Sequence, residues 1–444
     1  MKTLIIGGVA GGLSAASQIK REDHGAQVIV LEKSGDVSYA ACGMPYNLFF
    51  RDKPVEDLHA LGLDAIRTER GIDYRLHHEV VGIDPVRKEV TVVDRELSRE
   101  YRESYDYLVY ATGNKPNRLY LPGFDDDDVF YFKTLDDTRL VKKIIYEKAP
   151  AKALLIGSGY TNLELADVLC NMKITPVILE KSATILPSFA EEIRAKVLEK
   201  MSEKGIRLHT AVDIIEKKGT VVRTATGDFA ADMVVVSIGV TPNTNLFTAA
   251  GGEVGVAGAV KVDRYLRTNL PDVFAAGDCA EHYVRQLGRN GYMPLGPVAN
   301  KQGRLVGSNI LNNNAMKMFY GIDQTAVFKF FDLTVATTGL NERQIKDSGA
   351  HYVKTYVDTP TRGAFPGGGT MRVLLLCEIG TGLLLGGQMI GQDVVAKRLD
   401  VLATAIYKQM TVFELSELDL SYAPLCAPVW DPLLIAANKA VKEV

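Results

Sequence analysis

TLIIGGVAGGLSAASQIKRE, residues 3 to 22, passes from a short apolar run through a glycine-rich turn into an Ala-rich segment. TLIIG reads as a buried parallel strand, GGVAGG as a tight turn and LSAASQIKRE as a helix. QVIVLEK, residues 27 to 33, supplies a second strand that ends at Glu32. A β-α-β unit closed within about 30 residues is the dinucleotide-binding arrangement. Gly7 and Gly12 fill the outer glycine positions of its loop, while Val9 stands at the middle one. Backbone amides at the helix start can face a pyrophosphate. A carboxylate at the end of the second strand, here Glu32, can accept from ribose hydroxyls.

The pattern restarts at AKALLIGSGYTNLELADVLC, residues 151 to 170, followed by TPVILEK, residues 175 to 181. Gly157 and Gly159 hold the first two glycine positions, and Asn162 replaces the third. That glycine normally lets helix and strand approach closely, so the helix sits further out or the site is altered. Glu180 ends the next strand and favours an unphosphorylated ribose, hence NADH. Lys181 beside it keeps NADPH as the alternative donor. YDYLVYATG (105 to 113) and ADMVVVSIG (231 to 239) are matching later strands, and DVFAAGDCAE (272 to 281) returns the chain to the first domain. From residue 325 onward, alternation and Gly-rich turns predict an antiparallel sheet with helices.

The fold class is therefore α/β, with two Rossmann-like nucleotide-binding domains and a C-terminal α+β domain. The expected boundaries are 1–117 for the first part of one nucleotide domain, 118–245 for the other, 246–322 for the return to the first, and 323–444 for the C-terminal domain. A chain of 444 residues is too long for one core, and 47% hydrophobic content fills several. Net charge is −3 with both signs mixed, so there is no electrostatic case for nucleic acid. Five scattered cysteines fit a reducing cytoplasm. MKTLIIGG breaks at glycines too early for a signal peptide or membrane span. No metal-ligand spacing stands out.

SYAACGMPY, residues 38 to 46, carries one cysteine, Cys42, with no second cysteine near enough for a CxxC pair. The stretch alone leaves Cys42 open as a buried small hydrophobe or a nucleophile. A helix start at this point would favour its thiolate. Two nucleotide units in the same chain point to the nucleophile, because together with one cysteine they form an electron path to a sulfur substrate. Cys170 and Cys377 lie in apolar patterns expected in the core. Cys279 follows Asp278 at an expected strand–helix junction. Cys426, in a Pro-rich turn, is expected at the surface.

The ordered blocks LIIGGVAGGLSAA, VSYAACGMPY, YLVYATG, LLIGSGYTNLE, TNLPDVFAAGDCAE, PLGPVANKQGR and SYAPLCAPVWDPLLIAANKA resemble the flavin-dependent pyridine nucleotide-disulfide oxidoreductases. Within them the match is to the single-cysteine coenzyme A-disulfide reductases, beside the NADH oxidases, peroxidases and CoA-persulfide reductases. The resemblance implies a glutathione reductase-like fold whose C-terminal domain dimerises. It implies FAD on Gly7, Gly12, Glu32, Thr112, Gly113, Gly277 and Asp278, and NAD(P)H on Gly157, Gly159, Glu180 and Glu164. Asn300 falls where family members approach the flavin and thiol. Cys42 becomes the redox cysteine, forming a mixed disulfide with a substrate thiol after hydride transfer to FAD. Arg21, Ser38 and Arg70 become candidates for coenzyme A, and Tyr422 of a second copy stands beside the substrate sulfur in a homodimer with shared sites. The implied substrates are coenzyme A disulfide, CoA persulfide or polysulfide. The alternative is an NADH oxidase or peroxidase cycling Cys42 through sulfenic acid. Relatives of that kind place a histidine where this chain has Ala10. A flavoprotein that only binds or carries electrons is the remaining alternative. Phe365 stands where many relatives have a tyrosine before Pro-Gly.

Overall fold

The computed structural model describes residues 1–363 and 367–444; Phe365 lies outside the described residues. The chain gathers into two compact units, each assembled from three stretches. One comprises 1–117, 132–143 and 239–322; the other comprises 118–131, 144–238 and 323–444.

The first unit is built on five parallel strands in the order Val273–Ala275, Tyr107–Tyr110, Lys2–Ile6, Gln27–Leu31 and Asp73–Arg75. Its inner strands are covered on both faces, so they read as continuous apolar runs rather than alternating ones. Leu4, Ile5, Ile29, Val30, Leu108 and Val109 are all essentially inaccessible to solvent. The first strand turns into the helix Ala10–Glu22 through Gly7, whose φ of 94° is left-handed. The helix Gly296–Leu311 packs along Ala10–Glu22. The contact is a backbone approach: a Cβ at Gly303 would stand 2.2 Å from the Gly11 carbonyl oxygen, and one at Gly307 2.7 Å from that of Ala15.

The second unit repeats the plan. Its parallel strands run Arg207–His209, Thr175–Leu179, Lys152–Ile156, Met233–Val236 and Val129–Phe130. The turn before the helix Tyr160–Asn171 again pivots on a left-handed glycine, Gly157, with φ 95°. Each parallel sheet is accompanied by a three-stranded antiparallel meander that the apolar periodicity did not announce. These are His78–Asp84, Glu89–Asp94 and Arg99–Ser104 in the first unit, and Ile214–Lys218, Val221–Thr224 and Gly227–Ala230 in the second.

The antiparallel sheet expected after residue 325 is present, in the order Ala326–Phe330, Leu333–Gly339, Leu384–Gly391, Thr370–Glu378, Tyr352–Pro360. The helices Val395–Tyr407 and Pro432–Ala440 bury their apolar sides in its core through Leu399, Leu402, Ile406, Leu433 and Ala437. Among the described residues no helix is long and apolar enough to cross a membrane.

Two cysteine expectations need correction. Cys170 ends a helix turn at the edge of the core and is only partly buried. Cys279 is buried, but the chain runs on into the short strand His282–Val284 and not into a helix.

Candidate active site

The loop after the first strand is held by its own hydrogen bonds. Glu32 is 7% exposed, and its Oε2 accepts from the Gly8 amide at 2.8 Å. Its Oε1 accepts from the Ser34 amide and hydroxyl, both at 2.9 Å. Gly12 must lack a side chain here, since a Cβ would sit 1.8 Å from the Gly7 carbonyl oxygen. A cavity of about 230 Å³ opens beside these strand ends, with Gly7, Glu32, Lys33, Thr112 and Asn243 among its walls. Thr112 donates to the Asn243 carbonyl at 2.8 Å, and Asn243 Nδ2 returns a bond to the Thr112 carbonyl at 2.9 Å. The Asn243 amide also bonds the Gly113 carbonyl at 3.0 Å. Asn243 was missed in the sequence; only its place a few residues after the matching VVVSIG strand marks it.

Gly277, with φ 84°, turns the chain after Val273–Ala275, and its amide donates to Gln302 Oε1 at 2.9 Å. Gln302 is fully buried and also bonds the Glu281 carbonyl at 2.9 Å, so it pins this loop to the helix Gly296–Leu311. Asp278 accepts from Asn114 Nδ2 at 3.1 Å and lies 3.7 Å from Lys133 Nζ. Burial pushes its carboxyl above the usual range, partly offset by Lys133 and Asn114. Asn300, on the same helix, accepts from Ser14 Oγ at 2.6 Å and donates to the Gly296 carbonyl at 3.0 Å. Gly7, Gly12, Glu32, Thr112, Gly113, Gly277, Asp278 and Asn300 therefore all belong to the first unit, at the C-terminal strand ends and the helices that follow them.

The second unit repeats the wiring. Glu180 Oε2 accepts from the Ser158 amide at 2.9 Å and its hydroxyl at 2.7 Å; Oε1 accepts from the Ser182 amide at 2.7 Å. Burial raises this carboxyl, but the bonds from Ser158 and Ser182 outweigh it and the net shift is downward. Asn162 resolves the departure at the third glycine position. It is fully buried, and its Nδ2 donates at 2.8 Å to both the Ile156 and Gly157 carbonyls, bracing strand end and turn where bare backbone packing would otherwise serve. Gly159 faces open space, and Glu164 sits half-buried in the first turns of the helix.

Cys42 is exposed on the 3-10 turn Ala41–Gly43, which leads into the four-residue helix Met44–Asn47. Arg21, on the helix Ala10–Glu22, donates to Gln18 Oε1 of the same helix, and Arg70 Nη1 donates to Ser17 Oγ of that helix at 2.6 Å. Ser38 is 7% exposed, and its carbonyl accepts from the Ala60 amide at 2.7 Å. Tyr422 is exposed in the second unit, on the segment that precedes Pro432–Ala440. Two arginines tie down that segment. Arg362 Nη1 donates to the Leu425 carbonyl at 2.8 Å, and Arg398 pairs with Asp431 at 2.8 Å, both groups buried. Cys426, also exposed, lies between these ties.

Comparison with known proteins agrees with this geometry. Residues 1–303 match the model of the pyridine nucleotide-disulphide oxidoreductase family, and residues 325–432 match that family's dimerisation domain. The chain is 33% identical over 440 residues to an NAD(P)H sulfur oxidoreductase (CoA-dependent) from Pyrococcus abyssi, covering 98% of this chain and 97% of the relative. It is 30% identical over 450 residues to an NADH oxidase from Methanocaldococcus jannaschii, covering 100% and 99%. Among solved structures, reduced Bacillus anthracis CoADR-RHD superposes with a TM-score of 0.96 at 32% identity, over 99% of this chain and 80% of that one. An NAD-dependent persulfide reductase from A. fulgidus gives 0.95 at 34% identity, over 100% and 83%.

Proposed function

Because the chain belongs to the pyridine nucleotide-disulphide oxidoreductase family, we propose that it is an FAD-dependent NAD(P)H reductase of coenzyme A-linked disulfides, persulfides or polysulfides, with Cys42 as its reacting thiol. The first unit fits FAD: a cavity at parallel-strand ends, a buried carboxylate behind it and a glycine turn with room for no side chain are what an adenosine and pyrophosphate need. Gly7, Gly12, Glu32, Thr112, Gly113, Gly277 and Asp278 would hold it. Bound there, FAD supplies two-electron chemistry between a nicotinamide and sulfur. In the second unit Gly157, Gly159, Glu164 and Glu180 form the NAD(P)H loop, and the ionised Glu180 favours NADH.

The observation that carries the reading is which thiols are available. Burial pushes Cys170 and Cys279 up to about 11 and Cys377 to about 12, which leaves those three protonated and inert at neutral pH. Cys42 and Cys426 are exposed, and Cys42 alone stands in the first nucleotide unit. As thiolate, Cys42 attacks one sulfur of the substrate disulfide; the S–S bond breaks and one thiolate leaves, forming a mixed disulfide. Two electrons from NADH and one proton then release the second thiol and restore Cys42. One protein cysteine suffices because the substrate brings the other sulfur. Arg21 and Arg70 can meet the phosphates of coenzyme A by charge-assisted bonds. Asn300 stands near the thiol and flavin in this reading, and Ser38 contributes to the pantetheine path. Tyr422 reaches the substrate sulfur from a second copy through the dimerisation domain.

An NADH oxidase is the second reading, favoured by the Methanocaldococcus relative. Against it, Ala10 offers no acid–base group at the start of the helix Ala10–Glu22. The test supplies coenzyme A disulfide, CoA persulfide, polysulfide, peroxide and oxygen in turn under NADH. C42S should retain flavin bleaching by NADH and lose turnover of every sulfur substrate. Sulfur turnover surviving in C42S moves the role to Cys426. Rapid oxygen or peroxide reduction with no sulfur turnover establishes the second reading.

A further inference from the structure

Cys42 rides on an excursion of the chain between Asp36 and His59. Backbone bonds close its neck: the Ala40 amide donates to the Leu58 carbonyl at 2.8 Å, and the Ala60 amide to that of Ser38 at 2.7 Å. Beyond the neck Met44, Leu48 and Val55 are buried, but the tip between them is bare. Residues 49 to 54 are all exposed, Phe49 and Phe50 at 46% each. A space of about 340 Å³, lined by Arg51, Lys53, Val55, Arg139 and Lys142, separates this tip from the helix Leu135–Lys148.

Polar ties from two residues one turn apart on that helix bridge the space. Arg139 grips Asp36 with both terminal nitrogens, at 2.9 and 2.6 Å, and reaches Glu56 through Nε and Nη2 at 3.0 and 2.8 Å. It thereby joins the two sides of the neck. His59 adds a bond to the same Asp36 oxygen at 3.0 Å. Lys142 Nζ donates to Asn47 Oδ1 at 3.0 Å, to the Asn47 carbonyl and to the Lys53 carbonyl. Asn47, buried, donates to the Pro54 carbonyl at 3.1 Å, closing the tip on itself. A bidentate arginine–carboxylate pair fixes orientation as well as distance, which a single lysine bond does not.

We infer that Arg139 and Lys142 are positioning residues for Cys42, holding the excursion that carries it from its neck and from its tip. The inference rests on the reading of Cys42 as the reacting thiol. Arg51 makes it testable independently of that reading, because it is an exposed trypsin site at the tip, whereas Lys53 is followed by Pro54 and is not cut. Full-length wild type, R139M, R139K, K142M and E56Q are compared for tryptic cleavage after Arg51, and for kcat with the sulfur substrate under NADH. E56Q guards against misfolding, since it removes the charge from one tie and weakens it without stranding Asp36.

Cleavage at the tip should rise about tenfold in R139M and K142M and less in E56Q, because proteolysis tracks the population of the open form. The kcat of R139M should fall by about tenfold or more, as expected when a reacting atom is misplaced by about an ångström. R139K should recover part of both effects. Wild-type cleavage in R139M, K142M and E56Q overturns the clamp, and wild-type kcat in a variant with a loosened tip overturns its positioning role. Failure of the Cys42 reading itself is seen separately, as sulfur turnover retained in C42S.

Discussion

Substituting Gly303 by alanine should separate two helices that both serve the first nucleotide site. The added Cβ would stand 2.2 Å from the Gly11 carbonyl oxygen and 2.9 Å from Ser14 Cβ. Opening 2.2 Å to an ordinary contact of 3.4 Å moves the helix Gly296–Leu311 outward by about 1.2 Å, the difference of the two. The Ser14–Asn300 bond, 2.6 Å long, would stretch by the same amount to about 3.8 Å and break. Forcing a methyl group into a packed contact costs about 1–3 kcal/mol, and more where the obstacle is backbone. At about 2–4 °C per kcal/mol for a unit of this size, Tm should fall by several degrees. The flavin should dissociate more readily, because Gln302 pins the Gly277 loop from the displaced helix. Scanning calorimetry and flavin content after gel filtration measure both effects. G296A is the control, since the same helix offers open space there. G303A matching G296A in Tm and flavin retention would refute the argument.

Glu180→Ala should lower the kcat/KM preference for NADH over NADPH by about tenfold or more, given the cost of a phosphate beside an ionised carboxylate; an unchanged ratio would assign the choice to Lys181. Iodoacetamide at pH 7 should label Cys42 and Cys426 in the folded protein and spare Cys279 and Cys377, whose thiols burial pushes to about 11 and 12; peptide mass spectrometry reads the pattern. Asp36 titrates below its ordinary 3.8, because the bonds from Arg139 and His59 outweigh the upward push of burial. A depressed carboxyl stabilises the fold above its ordinary pKa and loses that contribution as pH falls through the folded value. The difference in urea midpoint between wild type and D36N should therefore be present at pH 7 and shrink below about pH 4.

The nucleotide units were legible because they are local. One strand, one turn and one helix fall within about 30 residues, and the Gly7 and Gly157 turns demand a left-handed backbone that only glycine adopts easily. The carboxylates Glu32 and Glu180 were found the same way, from their place at strand ends. The two meanders were not, because half-buried strands such as Glu89–Asp94 carry only a weak alternation among charged residues. Asn162 looked like a defect in a pattern; its two bonds to strand and turn carbonyls exist only once the helix is in place. The ties on the Cys42 excursion were out of reach for a different reason. Arg139 and Asp36 lie far apart in the chain, and an arginine on an otherwise ordinary amphipathic helix does not declare its partner.

The first sheet is completed late. Tyr107–Tyr110 has Lys2–Ile6 on one side, but its other neighbour is Val273–Ala275, and the helix covering Ala10–Glu22 follows at Gly296–Leu311. On a ribosome adding about 5–20 residues per second, residues 111 to 272 take on the order of ten to thirty seconds to emerge. Throughout that interval an apolar strand edge and an uncovered helix face stand open, while an entire second parallel sheet is made. The nascent chain thus carries an unfinished sheet edge while a second set of parallel strands emerges. Its yield in a cell should depend on chaperone capture during that window more than on the stability of the finished protein.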